Sequence, residues 1–173
     1  IVPEIGESEF KKTWLEDIKT WPSPRPEDEG ISILKSTLED LKKTHGQIGA
    51  EFGKEMAVRM PVRDLFKLKE ILKTNIVDGS DAIWEMRMIK TNAEIERIKH
   101  ICSIASDAYY DLPSKLNIGD TEREAVNKLK IDIINRGADN VPFMPGISGK
   151  GGVSQIVCGP SDKVIENGDI LFI

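Results

Sequence analysis

Cysteine and histidine are scarce in this chain of 173 residues, which contains two of each. Cys102 and Cys158 can form at most one disulfide, so a disulfide framework is excluded and a reduced, cytoplasmic protein is expected. The spacing of the four cysteine and histidine residues also matches no zinc-ligand pattern. Any metal ion that this chain binds would therefore depend on carboxylates.

The sequence also lacks a long apolar run and an excess of basic residues. No run approaches the roughly 20 apolar residues that a membrane-spanning helix needs, so no membrane partner is expected. Lys and Arg number 24 and Asp and Glu number 29, which gives a net charge of −5. This acidic balance argues against nucleic acid as the main partner. Hydrophobic residues at 39% and charged residues at 31% are typical of a globular domain.

The first 85 residues alternate between short apolar segments and helical patterns. Rows of leucine and isoleucine predict helices over about residues 29–45 and 61–73. Short strands are expected at 1–5, 47–52 and 76–77. This order predicts an α/β layer with some parallel pairing. A hinge, with a short helix and then extended residues 86–90, is expected to follow.

Two capping boxes mark the helices of the second half. Thr91 with Glu94, and Thr121 with Glu124, match the pattern in which an acid three residues after a threonine closes a helix N-terminus. Helices are therefore predicted over about 92–112 and 122–136. The buried face of the first is expected to consist of Ile95, Ile98, Cys102, Ala105, Tyr109 and Leu112.

Antiparallel strands are expected after these helices, beginning at 141–143 and continuing at 153–158 and 170–173. Four glycines lie within residues 146–152, around Lys150. A nucleotide-binding P-loop needs Gly-Lys-Ser/Thr followed by a helix, whereas Lys150 precedes a glycine and a predicted strand. A flexible loop that borders a site is therefore favoured over phosphate binding.

Short motifs in the second half resemble the pita-bread metallopeptidase family, which includes prolidases, Xaa-Pro aminopeptidases and creatinases. They occur in the family's order and spacing, at residues 85–91 with 94–98, 121–124, 160–162 and 168–173. The resemblance implies two domains. Residues 1–85 would be part of a creatinase-type α/β N-terminal domain, and residues 86–173 the N-terminal half of an α+β pita-bread catalytic domain.

The resemblance implies a metal-dependent hydrolase of the Xaa-Pro dipeptidase or aminopeptidase type, acting on small peptides as a homodimer. The family holds two divalent ions, such as Mn, Co or Zn, with two Asp, one His and two Glu. Its first Asp directly follows the strand that corresponds to residues 170–173, so every metal ligand is expected beyond Ile173. The apolar ending of the chain likewise predicts a fragment, which alone would bind no catalytic metal and would be inactive.

One position departs from the family pattern. Prolidases carry a histidine three residues before the turn proline, where it helps to hold the substrate carbonyl. Counting back from Pro160, that position is Val157, which can neither donate nor accept a hydrogen bond. Val157 is predicted to line the substrate cleft from a strand over 153–158, with a buried core valine as the alternative.

The valine leaves two other functions open. One is a creatinase-like hydrolase or lyase that acts on a small non-peptide zwitterion, and the other is a catalytically inactive relative with a binding role. The residues just beyond Ile173 would discriminate among them. An Asp at the next position, as in the family, favours metal chemistry, whereas Asn or an apolar residue favours the other two.

Overall fold

The computed structural model describes residues 1–42, 46–72 and 74–173, and it divides into two compact units, Ile1–Ile89 and Lys90–Ile173. The sequence predicted the division slightly earlier, after residue 85, which lies inside the helix Ser80–Met88. No continuous helix joins the units, because Ile89 is extended and the next helix begins at Asn92.

Two parallel strand pairs form the β structure of the first unit. Strand β1 (Val2–Pro3) pairs with β2 (Thr20–Trp21), and β3 (Ile48–Ala50) pairs with β4 (Ile76–Asp78). The parallel pairing predicted from the strand and helix order is confirmed. The strand expected over 1–5 is shorter, because a 3₁₀ turn at Glu4–Gly6 and a short helix, α1 (Glu7–Phe10), follow Pro3 directly.

Helices α2 (Ile31–Lys42) and α3 (Val62–Leu72) carry the apolar side chains of this unit. Their predicted ends, 43–45 and 73, lie outside the described residues. The core contains Ile31, Leu68, Leu72 and Ile76, with Leu34 and Leu38 packed against it. The predicted leucine rows therefore face inward, except that Leu41 is 55% exposed at the end of α2.

Helix α4 (Ser80–Met88) corrects the prediction that residues 86–90 are extended. Ser80 begins the helix with its amide bonded to the Asp78 carboxylate at 3.0 Å. Methionine and arginine are good helix formers, so nothing in residues 86–88 stops the helix once it has begun. It ends where Ile89 adopts an extended conformation.

Helices α5 (Asn92–Lys115) and α6 (Glu122–Asn135) open the second unit, and both predicted capping boxes are present. The sequence predicted that α5 ends at Pro113, but the helix contains this proline and continues to Lys115. A proline removes only its own N–H donor and disturbs the preceding turn. Near a helix end, this loss affects few backbone hydrogen bonds.

The buried face of α5 differs from the predicted one. Ile104, Ala108 and Leu112 are buried against α6, together with Val126, Leu129, Ile133, Ala138 and Met144. Ile95, Ile98, Cys102 and Tyr109 are exposed instead. Helix α6 has 14 residues against 24 in α5, so it covers only the C-terminal part of the longer helix. The apolar row that meets α6 is therefore the one that is buried.

Strands β5 (Ile147–Lys150) and β6 (Asp169–Phe172) form an antiparallel pair, which confirms the predicted pairing type. The prediction of a flexible loop over residues 146–152 is wrong, because β5 occupies most of this range. The strands predicted at 141–143 and 153–158 do not form. Gly151 and Gly152 have φ of +74° and +117°, so they turn the chain out of β5 before residues 153–158.

Among the described residues, no helix combines the length and the apolar character needed to cross a membrane.

Candidate functional site

A buried carboxylate lies in the first turn of α6. Glu122 is 2% exposed. Its Oε1 accepts hydrogen bonds from the Ser148 amide at 2.7 Å and hydroxyl at 2.9 Å. Its Oε2 accepts from the Ser161 amide at 3.1 Å and hydroxyl at 2.6 Å. One side chain thus holds together the start of α6, strand β5 and the turn at residues 160–162.

The backbone brings these segments together around the helix N-terminus. The first amides of a helix have no partner within the helix. The Glu122 amide donates to the Lys163 carbonyl at 3.0 Å, and the Arg123 amide donates to the Ser161 carbonyl at 3.1 Å. The turn and the residue that follows it thereby cap α6. An ion pair from Arg123 Nε to Asp162 Oδ1 at 2.8 Å adds a side-chain contact.

The four donors determine the protonation of this carboxylate. Burial alone raises the pKa of Glu122, but the hydrogen bonds from Ser161 and Ser148 outweigh it and lower the pKa from 4.5 to about 2. A carboxylate that accepts several hydrogen bonds is stabilised in its charged form. Glu122 is therefore ionised throughout the neutral range and serves as a fixed acceptor, since proton transfer would cost these bonds.

Lys163 extends the network to the start of β6. Its ammonium donates to the Ser148 carbonyl and, at 3.2 Å, to the Ser148 hydroxyl. The same ammonium lies 3.6 Å from the carboxylate of Asp169, whose side chain is 3% exposed. Although Ser148 and Lys163 are adjacent, they do not form a nucleophile and its base, because the buried Ser148 donates its hydroxyl proton to Glu122. We name Glu122, Ser148, Ser161, Lys163 and Asp169 the Glu122 network.

Val157, the substrate-binding residue predicted from the sequence, is 78% exposed. The alternative that it is a core residue does not hold in this structure. It lies in an irregular segment just before two anchored residues. The Cys158 carbonyl accepts from the Gly146 amide at 3.3 Å, and Ser161 binds Glu122. Val157 itself contributes no group to the Glu122 network.

Sequence reasoning noted the motifs at 121–124 and 160–162 but missed the contact between them. Both motifs supported the family resemblance, and Glu122 and Arg123 of the first bind Ser161 and Asp162 of the second. The available signal was an acid at the first helical position beside a capping box. Nothing in the sequence alone identified its serine partners, which are 26 and 39 residues away.

The described residues do not fit the two-ion site that the resemblance implies. They contain no group of three or more His, Cys, Asp or Glu side chains placed to hold a metal ion. Of the two buried carboxylates in the network, Glu122 has both oxygens occupied by serine donors. Asp169 Oδ2 accepts from the Glu166 amide at 3.0 Å and faces Lys163.

Comparison with known proteins gives no matching family model. The Xaa-Pro dipeptidase of Pyrococcus furiosus is 29% identical over 147 residues, which cover 84% of this chain and 38% of that protein. The Xaa-Pro dipeptidase of Pyrococcus horikoshii is 34% identical over 113 residues, covering 65% of this chain and 31% of that protein.

The structure resembles a crystal structure of the prolidase from Thermococcus sibiricus, with a TM-score of 0.77 and 26% identity, covering 98% of this chain and 44% of that one. The chain thus spans less than half the length of each of these three proteins. The resemblance predicted from the motifs is confirmed: the sequence and structural neighbours of this chain are prolidases, Xaa-Pro dipeptidases and X-Pro aminopeptidases, the pita-bread family.

Proposed function

We propose that this chain is part of a hydrolase that cleaves the peptide bond before proline in small Xaa-Pro peptides. The observation that carries the proposal is the match to the Xaa-Pro dipeptidase of Pyrococcus furiosus over 147 residues, 84% of this chain. The likeness to the Thermococcus sibiricus prolidase, over 98% of this chain, supports the same fold.

We assign the two units to the two domains that the resemblance implies. Ile1–Ile89, with its parallel β3–β4 pair, would belong to a creatinase-type N-terminal domain. Lys90–Ile173, with two capped helices and an antiparallel pair, would be the first half of a pita-bread catalytic domain. Because the chain covers 31% to 38% of the two dipeptidases, we propose that further catalytic groups lie outside it.

The proposed reaction adds water across the Xaa–Pro amide. The water oxygen bonds to the carbonyl carbon, the C–N bond breaks, and the proline nitrogen takes up a proton. The resemblance implies two divalent ions, but the described residues do not fit such a site, so no step is assigned to a metal. The contribution proposed for this chain is structural support for the site and one cleft residue, Val157, whose alkyl group is exposed.

The proposal is tested by assaying the purified full-length protein with Ala-Pro, Ala-Pro-Gly, Ala-Ala and creatine. Cleavage of Ala-Pro would indicate a dipeptidase, and cleavage of Ala-Pro-Gly would indicate an aminopeptidase. Neither activity depends on whether Ala-Ala, which lacks proline, is cleaved. Turnover of creatine alone would support the small-zwitterion alternative, and no turnover in the presence of added Mn²⁺ or Co²⁺ would support an inactive relative. The names of the matched relatives favour neither alternative.

The remaining features are proposed from the resemblance and the composition. We propose a homodimer, which sedimentation of the full-length protein would test. We also propose a cytoplasmic location, since Cys102 and Cys158 are both free. Small peptides are the proposed partners, and neither nucleic acid nor a membrane is among them.

A further inference from the structure

We propose that Glu122 is a positioning residue for the proposed hydrolase. Through Ser148 and Ser161 it fixes where β5, β6 and the segment around Val157 lie relative to α6. The role in activity rests on the proposed function, whereas the role in positioning rests on the Glu122 network alone.

The two oxygens of the Glu122 carboxylate have matching sets of donors. Each of its oxygens accepts both the amide and the hydroxyl of a single serine, Ser148 for one oxygen and Ser161 for the other. Hydrogen bonds to a charged acceptor are stronger than neutral ones. A shift of either serine along its segment would therefore break two such bonds at once, which fixes the place of each segment.

The position of β5 determines that of β6. Ser148 pairs with Leu171, and Ile147 pairs with Phe172, in the antiparallel register. Lys163 provides a second connection, because its ammonium binds the Ser148 carbonyl and faces Asp169 at the start of β6. Strand β6 is thereby linked to α6 through Glu122 by two routes, one near each of its ends.

Apolar packing does little to anchor this strand pair. The core cluster of the second unit is built from α5, α6, Ala138 and Met144, and it includes no buried side chain of β5 or β6 among the described residues. Ile173, directly after β6, packs against the cluster and is only partly buried. Loss of Glu122 should therefore loosen the strands while the helix pair stays folded.

The test compares Glu122→Gln with Glu124→Gln in the full-length protein. Glutamine keeps the shape of Glu122, but its NH₂ group cannot accept the Ser161 amide proton. Glu124 lies in the same helical turn, and its carboxylate accepts from the amide and hydroxyl of Thr121, so its variant removes the same charge without changing a bond of the network. Ser161→Ala, which retains the Ser161 amide, provides a milder variant if Glu122→Gln fails to fold.

The first readout is backbone amide exchange by mass spectrometry. Glu122→Gln should raise exchange in peptides that cover 147–150 and 169–172 about tenfold or more, which corresponds to losing one charge-assisted hydrogen bond. Peptides from the centres of α5 and α6 should be unchanged, as should all peptides of Glu124→Gln. Unchanged exchange in β5 and β6 would overturn the proposal, whatever the activity.

The second readout is steady-state cleavage of Ala-Pro at a temperature where each variant is fully folded by circular dichroism. Glu122→Gln should lower kcat about 10- to 100-fold with little change in KM, the size seen when a supporting residue behind a site is lost. Glu124→Gln should match the wild type. An unchanged kcat in the fully folded Glu122→Gln variant would show a purely structural role and overturn the activity claim. If the wild type cleaves neither Ala-Pro nor Ala-Pro-Gly, the proposed function fails and the exchange result alone decides positioning.

Discussion

Each unit of the chain contains a carboxylate that binds a serine, and the two differ in reach and burial. In the first unit, Asp78 Oδ1 accepts from the Ser80 hydroxyl at 2.6 Å and the Ser80 amide at 3.0 Å. It also accepts from the Phe52 amide at 3.3 Å, while Ser80 Oγ accepts from the Gly53 amide at 2.7 Å. Asp78 itself is exposed.

Glu122 of the second unit binds serines 26 and 39 residues away, and it is buried. Most of the bonds of Asp78 close a turn of three residues at the start of α4. Loss of Asp78 would leave the amide and hydroxyl of Ser80, which is 3% exposed, without this acceptor, whereas loss of Glu122 would leave those of both Ser148 and Ser161 without theirs. A buried donor without a partner costs more than the bond it replaces contributes. The same chemistry therefore supports chiefly a local turn in one unit, with one longer contact to Phe52, and contacts between distant segments in the other.

The largest effect is expected from Glu122→Ala. The amides and hydroxyls of Ser148 and Ser161 lose their acceptor, and Ser148 is buried, so we expect a loss of about 3 kcal/mol in the free energy of unfolding. Urea unfolding followed by circular dichroism measures this, with Asp78→Ala as the matched variant in the first unit. Asp78→Ala should cost distinctly less because its carboxylate is exposed. Equal losses would show that burial and reach do not separate the two sites.

Acid should also affect the stability contributions of Glu122 and Asp78 differently. The pKa of Glu122 is about 2 in the folded state and 4.5 as its ordinary value. A lowered pKa contributes stability above the unfolded value and loses it as the pH falls through the folded value, between pH 4.5 and 2. The contribution at neutral pH is about 3 kcal/mol.

Urea unfolding at pH 7, 4, 3 and 2.5 tests this dependence. The difference in stability between the wild type and Glu122→Gln should shrink steadily below pH 4.5. The pKa of Asp78 is also lowered, chiefly by the hydrogen bond from the Ser80 side chain. Asp78→Asn should change the dependence of stability on pH less than Glu122→Gln does. A constant difference between wild type and Glu122→Gln at every pH would contradict the assigned pKa.

Gly146 tests how closely the segments around the Glu122 network approach each other. A Cβ at this position would lie 2.2 Å from Val126 Cγ2, and Val126 is fully buried. Gly146→Ala should therefore cost about 2 kcal/mol through overpacking. Gly159→Ala is the control, because a Cβ there meets nothing within 4 Å. A Gly146→Ala variant as stable as Gly159→Ala would show that β5 can move away from α6.

The smallest effect on stability is expected from Val157→His. The exposed side chain makes few contacts to lose, so the free energy of unfolding should change by less than about 0.5 kcal/mol. If Val157 lines the cleft where the family has a histidine, the variant should cleave Ala-Pro faster than the wild type in the full-length protein. Exposed Ile156→His provides a neighbouring control. Equal rates for both variants and the wild type would remove Val157 from the proposed cleft.

The helices could be predicted from the sequence because their signals are local. Thr91 with Glu94 and Thr121 with Glu124 are three residues apart, and both capping boxes form as expected. The buried face of α5 could not be predicted in the same way. Several apolar rows run along this helix, and the contact with the shorter α6 decides which one is covered.

The strands and the Glu122 network depend on contacts between distant residues, which local patterns do not specify. The sequence predicts a strand over residues 153–158, yet β5 pairs with β6 and leaves these residues in the connection between the two. Glu122 was noted only as part of a motif, because its serine partners approach through folding. Val157 was identified by counting from Pro160, and its exposure came from the structure.

The central claim is that Glu122 joins α6, β5 and the turn at 160–162. Titration of the Glu122 carboxyl carbon by ¹³C NMR tests this claim most directly. Four donors on a buried carboxylate predict a midpoint of about 2. The control is Glu124, in the same turn, followed in the same spectra. A Glu122 midpoint at or above 4.5 would show that the serine donors are not in place and would contradict the account.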